Sequence, residues 1–308
     1  MKETTHRPAR IDRARLRELS ARSDRRGLIQ LAGHGAALGA TGWLLGQTVG
    51  SWWAAPALLL HGAVLTFLFA PLHETVHRTA FRSRWLNDSV AWVCGALLVL
   101  PPAYFRAFHF AHHRYTQDPR RDPELATPKP DTLAAWLLHV SGLPYWWAQI
   151  GGLLRRALGR TPEPFLPPHL ARPAIREARL LLGLYGGIVV VAVATGSAAP
   201  LLYWVLPALV GQPFLRLFLL AEHTGCPLSP DMLANTRTTL TNAIVRFFAW
   251  NMPFHAEHHA YPSVPFHALP AVHRELRRDL KVVAPGYLAV QREILRGLGQ
   301  RPGEARAN

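Results

Sequence analysis

The chain has 308 residues, 49% of them hydrophobic and only 17% charged, with 34 Lys+Arg against 19 Asp+Glu and a formal net charge of +15. An average soluble domain is about 25% charged, and here the deficit is concentrated: no Asp, Glu, Lys or Arg occurs from Gly27 to His73 or from Leu180 to Leu215. Such runs exclude a soluble globular enzyme, a coiled coil and a disordered chain, and they fit a membrane protein, in which each span needs about 20 apolar residues. A basic chain can signal nucleic-acid binding. These basic residues flank the apolar runs, however, where positive-inside topology and anionic head groups account for them. No nucleic-acid partner is expected. The two cysteines, Cys94 and Cys226, form no Cys-x-x-Cys pair and cannot build an iron–sulfur cluster or a thiolate zinc site.

In chain order, residues 1–26 read as a basic cytosolic tail. Arg25-Arg26 ahead of an apolar run looks less like a twin-arginine signal than like the foot of a first span. The run 27–72 holds two spans, about 28–48 and 53–72, separated by an uncharged break where Trp52 and Trp53 suit a membrane interface. The segment 73–179 is rich in Arg and contains two uncharged stretches. The first, 89–105, is short and includes Pro101-Pro102. The second, 132–154, carries Trp136, Tyr145, Trp146 and Trp147, an aromatic load that suits an interfacial helix. Residues 161–173 are proline-rich and read as a linker. Two more spans follow, about 180–197 and 200–221, and 223–308 is basic again. The basic segments belong on the cytosolic side.

Three histidine clusters carry the chemistry: His73-x-x-x-His77, His109-x-x-His112-His113 and His255-x-x-His258-His259. On a helix, positions i, i+3 and i+4 share a face, so each cluster aims its imidazoles at one point. Single histidines such as His34, His61, His139 and His169 are expected to be satisfied core residues. Eight clustered imidazoles without metal would repel when protonated and leave unpaired polar groups when neutral. Neutral imidazole is the commonest metal ligand. Eight nitrogens exceed one tetrahedral zinc site and suit two five- or six-coordinate ions; imidazole-rich ligation without thiolates puts iron ahead of zinc and leaves zinc open. To share one centre the three clusters must lie on one membrane face, which requires 89–105 and 132–154 to be re-entrant or surface helices. The expected fold is therefore an all-α integral membrane protein. It has four transmembrane helices in two hairpins and a cytosolic helical cap, 73–179 and 223–308, that holds a di-metal site.

These boxes, with His-His-Arg-Tyr-Thr-Gln-Asp-Pro at 112–119 and Asn-Met-Pro-Phe-His-Ala-Glu-His-His-Ala-Tyr-Pro at 251–262, resemble those of the membrane fatty acid desaturase and hydroxylase superfamily. The resemblance covers about residues 55–275 and makes 27–308 a single desaturase-like domain. It implies two iron ions (Fe2+/Fe3+) with O2 as co-substrate. Carried over by position, the implied ligands are His73, His77, His109, His112, His113, His223, His255, His258 and His259; His223 comes from Ala-Glu-His at the end of the fourth span. It implies a lipid or acyl-chain substrate and, most directly, desaturation. Hydroxylation or ketolation of an alkane, sphingolipid or carotenoid is the alternative on the same scaffold. A membrane zinc hydrolase or receptor is a remote one. The sequence shows no dinucleotide fingerprint and no cysteine cluster, so electrons would come from an external ferredoxin, rubredoxin or cytochrome b5-type donor with its reductase. Both termini are expected in the cytoplasm, and the Arg- and Ala-rich chain suggests a bacterial inner membrane.

Around the boxes, Asp118, Asp122, Glu74, Glu222 and Glu257 are candidates to accept the outer N–H of a ligand imidazole, and Asn251 to orient a ligand or cap the third box. His267 and His273 are expected in supporting roles. Arg216, two turns before His223 on the same span, is expected to face a cavity near the substrate.

Overall fold

The computed structural model describes residues 11–299, so the first ten residues of the expected basic tail lie outside the described residues. A short helix α1 (Arg13–Leu19) is started by Asp12, whose carboxylate accepts the N–H groups of Ala14 and Arg15. Helix α2 (Asp24–Thr48) begins inside the expected tail, with Ser23 as its cap. Asp24 then accepts both the N–H and the hydroxyl of Ser83, at 2.8 and 2.7 Å, which pins the foot of α2 to the loop after the first histidine box.

Helices α3 (Ala54–Thr66) and α4 (Phe69–His77) form one nearly continuous rod. The joint has a local cause. Pro71 has no N–H to give the Phe67 carbonyl, which accepts instead from Ala70 in a tighter turn. Arg78, in the left-handed conformation (φ 61°), stops α4 directly after His77. Helices α5 (Arg84–Leu97) and α6 (Pro102–Tyr115) follow, bent by 99° across a short break in which Pro102 begins the second helix. Then come α7 (Leu133–Val140), α8 (Leu143–Ala157) and the long α9 (Pro168–Thr195). A π-helical turn, Leu201–Val205, leads into α10 (Leu206–His223). The C-terminal part comprises α11 (Met232–Asn235), α12 (Ala243–Phe248), α13 (His255–Ala260), α14 (Leu269–Leu276) and α15 (Tyr287–Gly297). Two short parallel strands, β1 (Thr238–Thr239) and β2 (Val283–Ala284), pair Thr238 with Val283 and Thr239 with Ala284.

Among the described residues, three rods are long and apolar enough to cross a membrane: 54–77, 168–195 and 201–223; the bent α5–α6 pair is a fourth if it counts as one span. These cover three of the four expected spans. Helix α2, where the first was expected, has 25 residues, but Gln30, His34 and a series of glycines dilute its apolar content and it does not join this set. The expected linker at 161–173 is a linker only as far as Pro167. Pro168 opens α9 at a position whose N–H has no helical partner, and Pro173 is carried inside the helix. Most of α9 presents bare apolar side chains, with Val189, Val190, Val191 and Val193 all exposed.

The centre of the bundle is the contact between α3 and α10. A Cβ on Gly211 would lie 2.1 Å from the Gly62 carbonyl oxygen, and one on Gly62 would lie 2.6 Å from the Pro207 oxygen, so the two backbones touch where neither has a side chain. Polar bonds reinforce the contact. Pro207 leaves the Tyr203 carbonyl without its helical donor, and His61 Nε2 donates to it at 3.1 Å, while Thr41 Oγ1 on α2 sits 2.9 Å from His61 Nδ1. His34 is buried between the Val64 carbonyl and the Trp250 indole. Both histidines are thus satisfied core residues, as expected. His139 is only half-buried and His169 is exposed at the start of α9.

Replacing Gly211 by Val forces its methyls into the Gly62 backbone, an overpacking that costs about 3 kcal/mol or more. The expected result is loss of monodisperse, thermally stable protein in detergent. Gly183→Ala, with nothing within 4 Å of the added carbon, leaves the melting temperature unchanged.

Candidate metal centre

Four helices deliver the histidines. Helix α4 ends with His73 and His77; α6 carries His109, His112 and His113 on one face; α10 ends at His223; and α13 is little more than His255, His258 and His259. All nine converge. His73, His77, His109, His113 and His258 form one group, and His112, His223 and His259 another, each with one ligand atom per residue within 4.8 Å of the others. His255 joins the second group, its Nε2 being 3.2 Å from that of His223 and 3.1 Å from that of His259. In the first group the Nε2 atoms of His77, His109, His113 and His258 follow one another at 2.7, 3.0 and 3.1 Å. The His73 ring lies 4.3 Å from that of His109 and 4.7 Å from that of His258. The stacked rings of His113 and His259, 4.1 Å apart, join the two groups.

The second group is braced from outside. His112 Nδ1 faces Asp122 Oδ1 at 2.9 Å and Glu124 Oε2 at 3.3 Å. His223 Nδ1 faces the Asn235 carbonyl at 3.3 Å. His259 Nδ1 faces Thr116 Oγ1 at 3.2 Å, and that hydroxyl has its proton directed to the His112 carbonyl, so its lone pair faces the ring. His255 Nδ1 lies 3.5 Å from the Glu222 carboxylate and makes no hydrogen bond among the described residues. The other acceptors place the protons of His112, His223 and His259 on Nδ1. The Nε2 lone pairs of these three rings then meet at one point, beside His255 Nε2, with no proton between them. That arrangement repels itself, and a cation at the convergence point turns it into a coordination sphere. The donor set therefore fits a metal ion. The first group offers five more nitrogens, with Nδ1 of His113 and His258 and both nitrogens of His73 buried and unpartnered within the protein. Burial, and then the neighbouring imidazoles, holds His255, His258 and His259 well below the usual histidine range, in the neutral form that can bind metal.

The surrounding residues divide. Asp122 and Glu222 face the imidazoles of His112 and His255. Asp118 does not: it caps a surface turn, accepting from Arg120 N and Arg121 Nε. Glu257 is fully buried beside the boxes, yet its oxygens go to His273 Nδ1 and Thr238 Oγ1, so it ties α13 to α14 and β1. Glu74 accepts the Phe266 N–H at 3.0 Å. Asn251, with φ 59°, bonds Arg246 Nε and the Phe266 carbonyl and neither meets a ring nor caps α13, whose cap position is Phe254. His267 pairs with Arg26 at 3.1 Å. Arg216 lies with its guanidinium 4.3 Å over the Tyr145 ring.

Sequence reasoning missed Thr116, Gln117, Glu124 and Asn235. Gln117 Nε2 donates to the His223 carbonyl at 2.8 Å. Thr116 stands four residues after His112, so its place on the same helical face was available from spacing. Burial opposes ionisation of Glu124, but Lys129 and His112 outweigh it and hold its carboxyl well below the usual range. Asn235 works through its backbone carbonyl, which no side-chain pattern announces.

Comparison with known proteins agrees with this geometry. The family model described as fatty acid desaturase matches residues 50–290. The sn-1 oleoyl-lipid 12-desaturase of Picosynechococcus sp. is 23% identical over 73% of this chain and 69% of its own length. The dihydrorhizobitoxine desaturase of Bradyrhizobium elkanii is 27% identical over 78% and 71%, and the sphingolipid delta(4)-desaturase of Komagataella phaffii 25% identical over 74% and 62%. A family match over most of the chain, on a mostly helical membrane fold with its histidines gathered at one place, means that this chain belongs to the fatty acid desaturase family of oxidoreductases.

Proposed function

We propose that the protein is an O2-dependent di-iron lipid desaturase that introduces a C=C bond into an acyl chain with electrons from an external donor. The observation that supports this most directly is the pair of imidazole groups, one of them with its protons held on the outer nitrogens and its lone pairs turned inward. In this reading His73, His77, His109, His113 and His258 hold one iron, and His112, His223, His255 and His259 the other. Held by these residues, two irons would supply O2-dependent oxidation chemistry, in which two hydrogens leave an unactivated CH–CH unit and, with two electrons from the donor and two protons, O2 leaves as two waters. The chain's own contribution is positional. Asp122, Glu124, Thr116 and the Asn235 carbonyl fix the orientations of the His112, His259 and His223 rings, and the rings of Phe69 and Phe105 pack against His73 and His109 and keep water from the centre.

The same reading puts α2, 54–77, α9 and 201–223 across the membrane, with α5–α6 as a re-entrant pair and α7–α8 along the surface. Both termini and the histidine centre then lie on the cytosolic side, in a bacterial inner membrane. The donor is a ferredoxin, rubredoxin or cytochrome b5-type protein with its reductase.

Expression in a lipid-producing host with a ferredoxin system, followed by mass spectrometry of total lipids, tests the reaction. The expected product is a lipid lighter by two hydrogens that is absent with His255→Ala. A product heavier by one oxygen would replace desaturation by hydroxylation on the same centre. Elemental analysis of the purified protein is expected to give iron at about two per chain, the number that the two imidazole groups suit; zinc in its place would sink the oxidase reading. Asp122→Asn removes the anionic partner of His112, and the expected loss of metal affinity is roughly 10- to 100-fold, read by competition with a chelator.

A further inference from the structure

One face of α10 runs from the histidine centre down into the apolar part of the protein. His223, Arg216 and Gln212 stand at helical spacings of seven and four residues and share that face. Arg216 lies about 10 Å and Gln212 about 16 Å below His223 along the axis. The α7–α8 hairpin covers this face. Gly142, at its turn with φ 75°, lies so close that a Cβ there would meet Gln212 Cβ at 2.5 Å, and Trp136 packs against the apolar cluster that Leu220 and Ala221 of α10 form with Ala284, Val290 and Ile294. Tyr145 supplies the ring under the Arg216 guanidinium.

Polar groups between hairpin and helix have no partner among the described residues. Gln212 is fully buried (0% exposed), and both its amide nitrogen and its amide oxygen lack a partner. Arg216 Nε and Trp136 Nε1 are likewise buried and unbonded. An unpaired buried amide or guanidinium N–H costs free energy, and four such atoms along one strip call for a ligand that pairs them. Three are donors and one is an acceptor, and the strip contains a cation. The complementary ligand is therefore rich in acceptors. The outer side of the hairpin carries exposed Leu137, Leu138, Trp147 and Ile150, so it meets lipid directly and an amphiphile can enter beneath it.

We propose that Gln212, Arg216 and Trp136 form a recognition site for a carbonyl or carboxylate group of the substrate, buried beneath the α7–α8 hairpin on the path to the histidine centre. The proposal rests on the lipid desaturase reading and narrows its substrate class. The substrate is a chain whose oxygen-bearing group lies within reach of Arg216 and Gln212 while its carbon to be oxidised lies at the imidazoles; a plain alkane is not a ligand.

The test is equilibrium binding of radiolabelled stearate, methyl stearate and octadecane to the metal-loaded protein in detergent, with metal content and lipid product measured on the same preparation. Saturable binding of stearate or methyl stearate, and none of octadecane, is expected. The relative affinities of the first two distinguish carboxylate from ester recognition. Arg216→Leu is expected to weaken binding roughly tenfold or more, as loss of a charge-assisted hydrogen bond does. Gln212→Leu, nearly isosteric, provides the discriminating variant. It is expected to weaken binding while raising the melting temperature of the ligand-free protein, because it removes an unpaired buried amide; a merely structural glutamine would lose stability instead. Equal binding of octadecane and stearate, or unchanged stearate binding in both variants, overturns the proposal. Wild-type protein that still forms a desaturated lipid in that case leaves the desaturase reading standing, so the two failures are distinguishable.

Discussion

The structure is organised around a repulsion that only a cation relieves. Imidazoles from four helices turn bare nitrogen lone pairs toward each other at hydrogen-bonding distance, in a region from which water is excluded. In one group the protons that could have separated the lone pairs are held on the far side of the rings by a carboxylate, a carbonyl and a hydroxyl. Each of these acceptors is itself held. Asp122 also accepts the Gln117 N–H, and Thr116 is bonded back to the His112 carbonyl. Asn235 anchors its own loop by donating to the Thr116 and Ser229 carbonyls. The network specifies the orientation of the His112, His223 and His259 rings before a metal arrives, which is what preorganisation of a coordination sphere requires.

The rest of the fold supplies rigidity to this network. The C-terminal part meets the bundle through polar bonds as well as apolar packing: Glu74 of α4 to the Phe266 backbone and Trp250 to His34 of α2, residues 192 and 216 positions apart. Within the C-terminal part, Glu257 ties α13 to Thr238 and His273. A box of six residues such as α13 has little helical stability of its own. Its persistence depends on these attachments and on the fully buried neighbours Trp250 and Leu269.

Much of this was legible in the sequence because two periodicities are strong. Charge-free runs marked spans at about 53–72, 180–197 and 200–221, which overlap the rods at 54–77, 168–195 and 201–223, and the i, i+3, i+4 spacing of His109, His112 and His113 marked the common face. What was not legible involved long-range contact. Asp118 and Asp122 look alike in sequence, and only the path of the turn after Thr116 decides that one meets an imidazole and the other an arginine. Glu257 sits between ligands, yet the rotation of α13 points it away from the centre. Asn251 reads as a cap but occupies a left-handed turn before the helix begins. Pro168 and Pro173 read as a linker because their propensity is against helix interiors, whereas the first position of a helix accepts proline without loss. The acceptor for His223 is a main-chain carbonyl, which any residue carries.

The hydrogen bond from His61 to the carbonyl that Pro207 leaves free acts as a vernier between two membrane rods. The carbonyl that Pro207 leaves free belongs to Tyr203 in the π-helical turn that leads into α10, and His61 offers its N–H to it from one height on α3. Sliding either rod by a single turn, about 5.4 Å, would strand both groups in an apolar interior and bring the glycines at 62 and 211 out of contact. His73 and His223 ride at the upper ends of these same rods. Their relative elevation is thus set near the middle of the bundle by a proline and a histidine that never approach the centre they align.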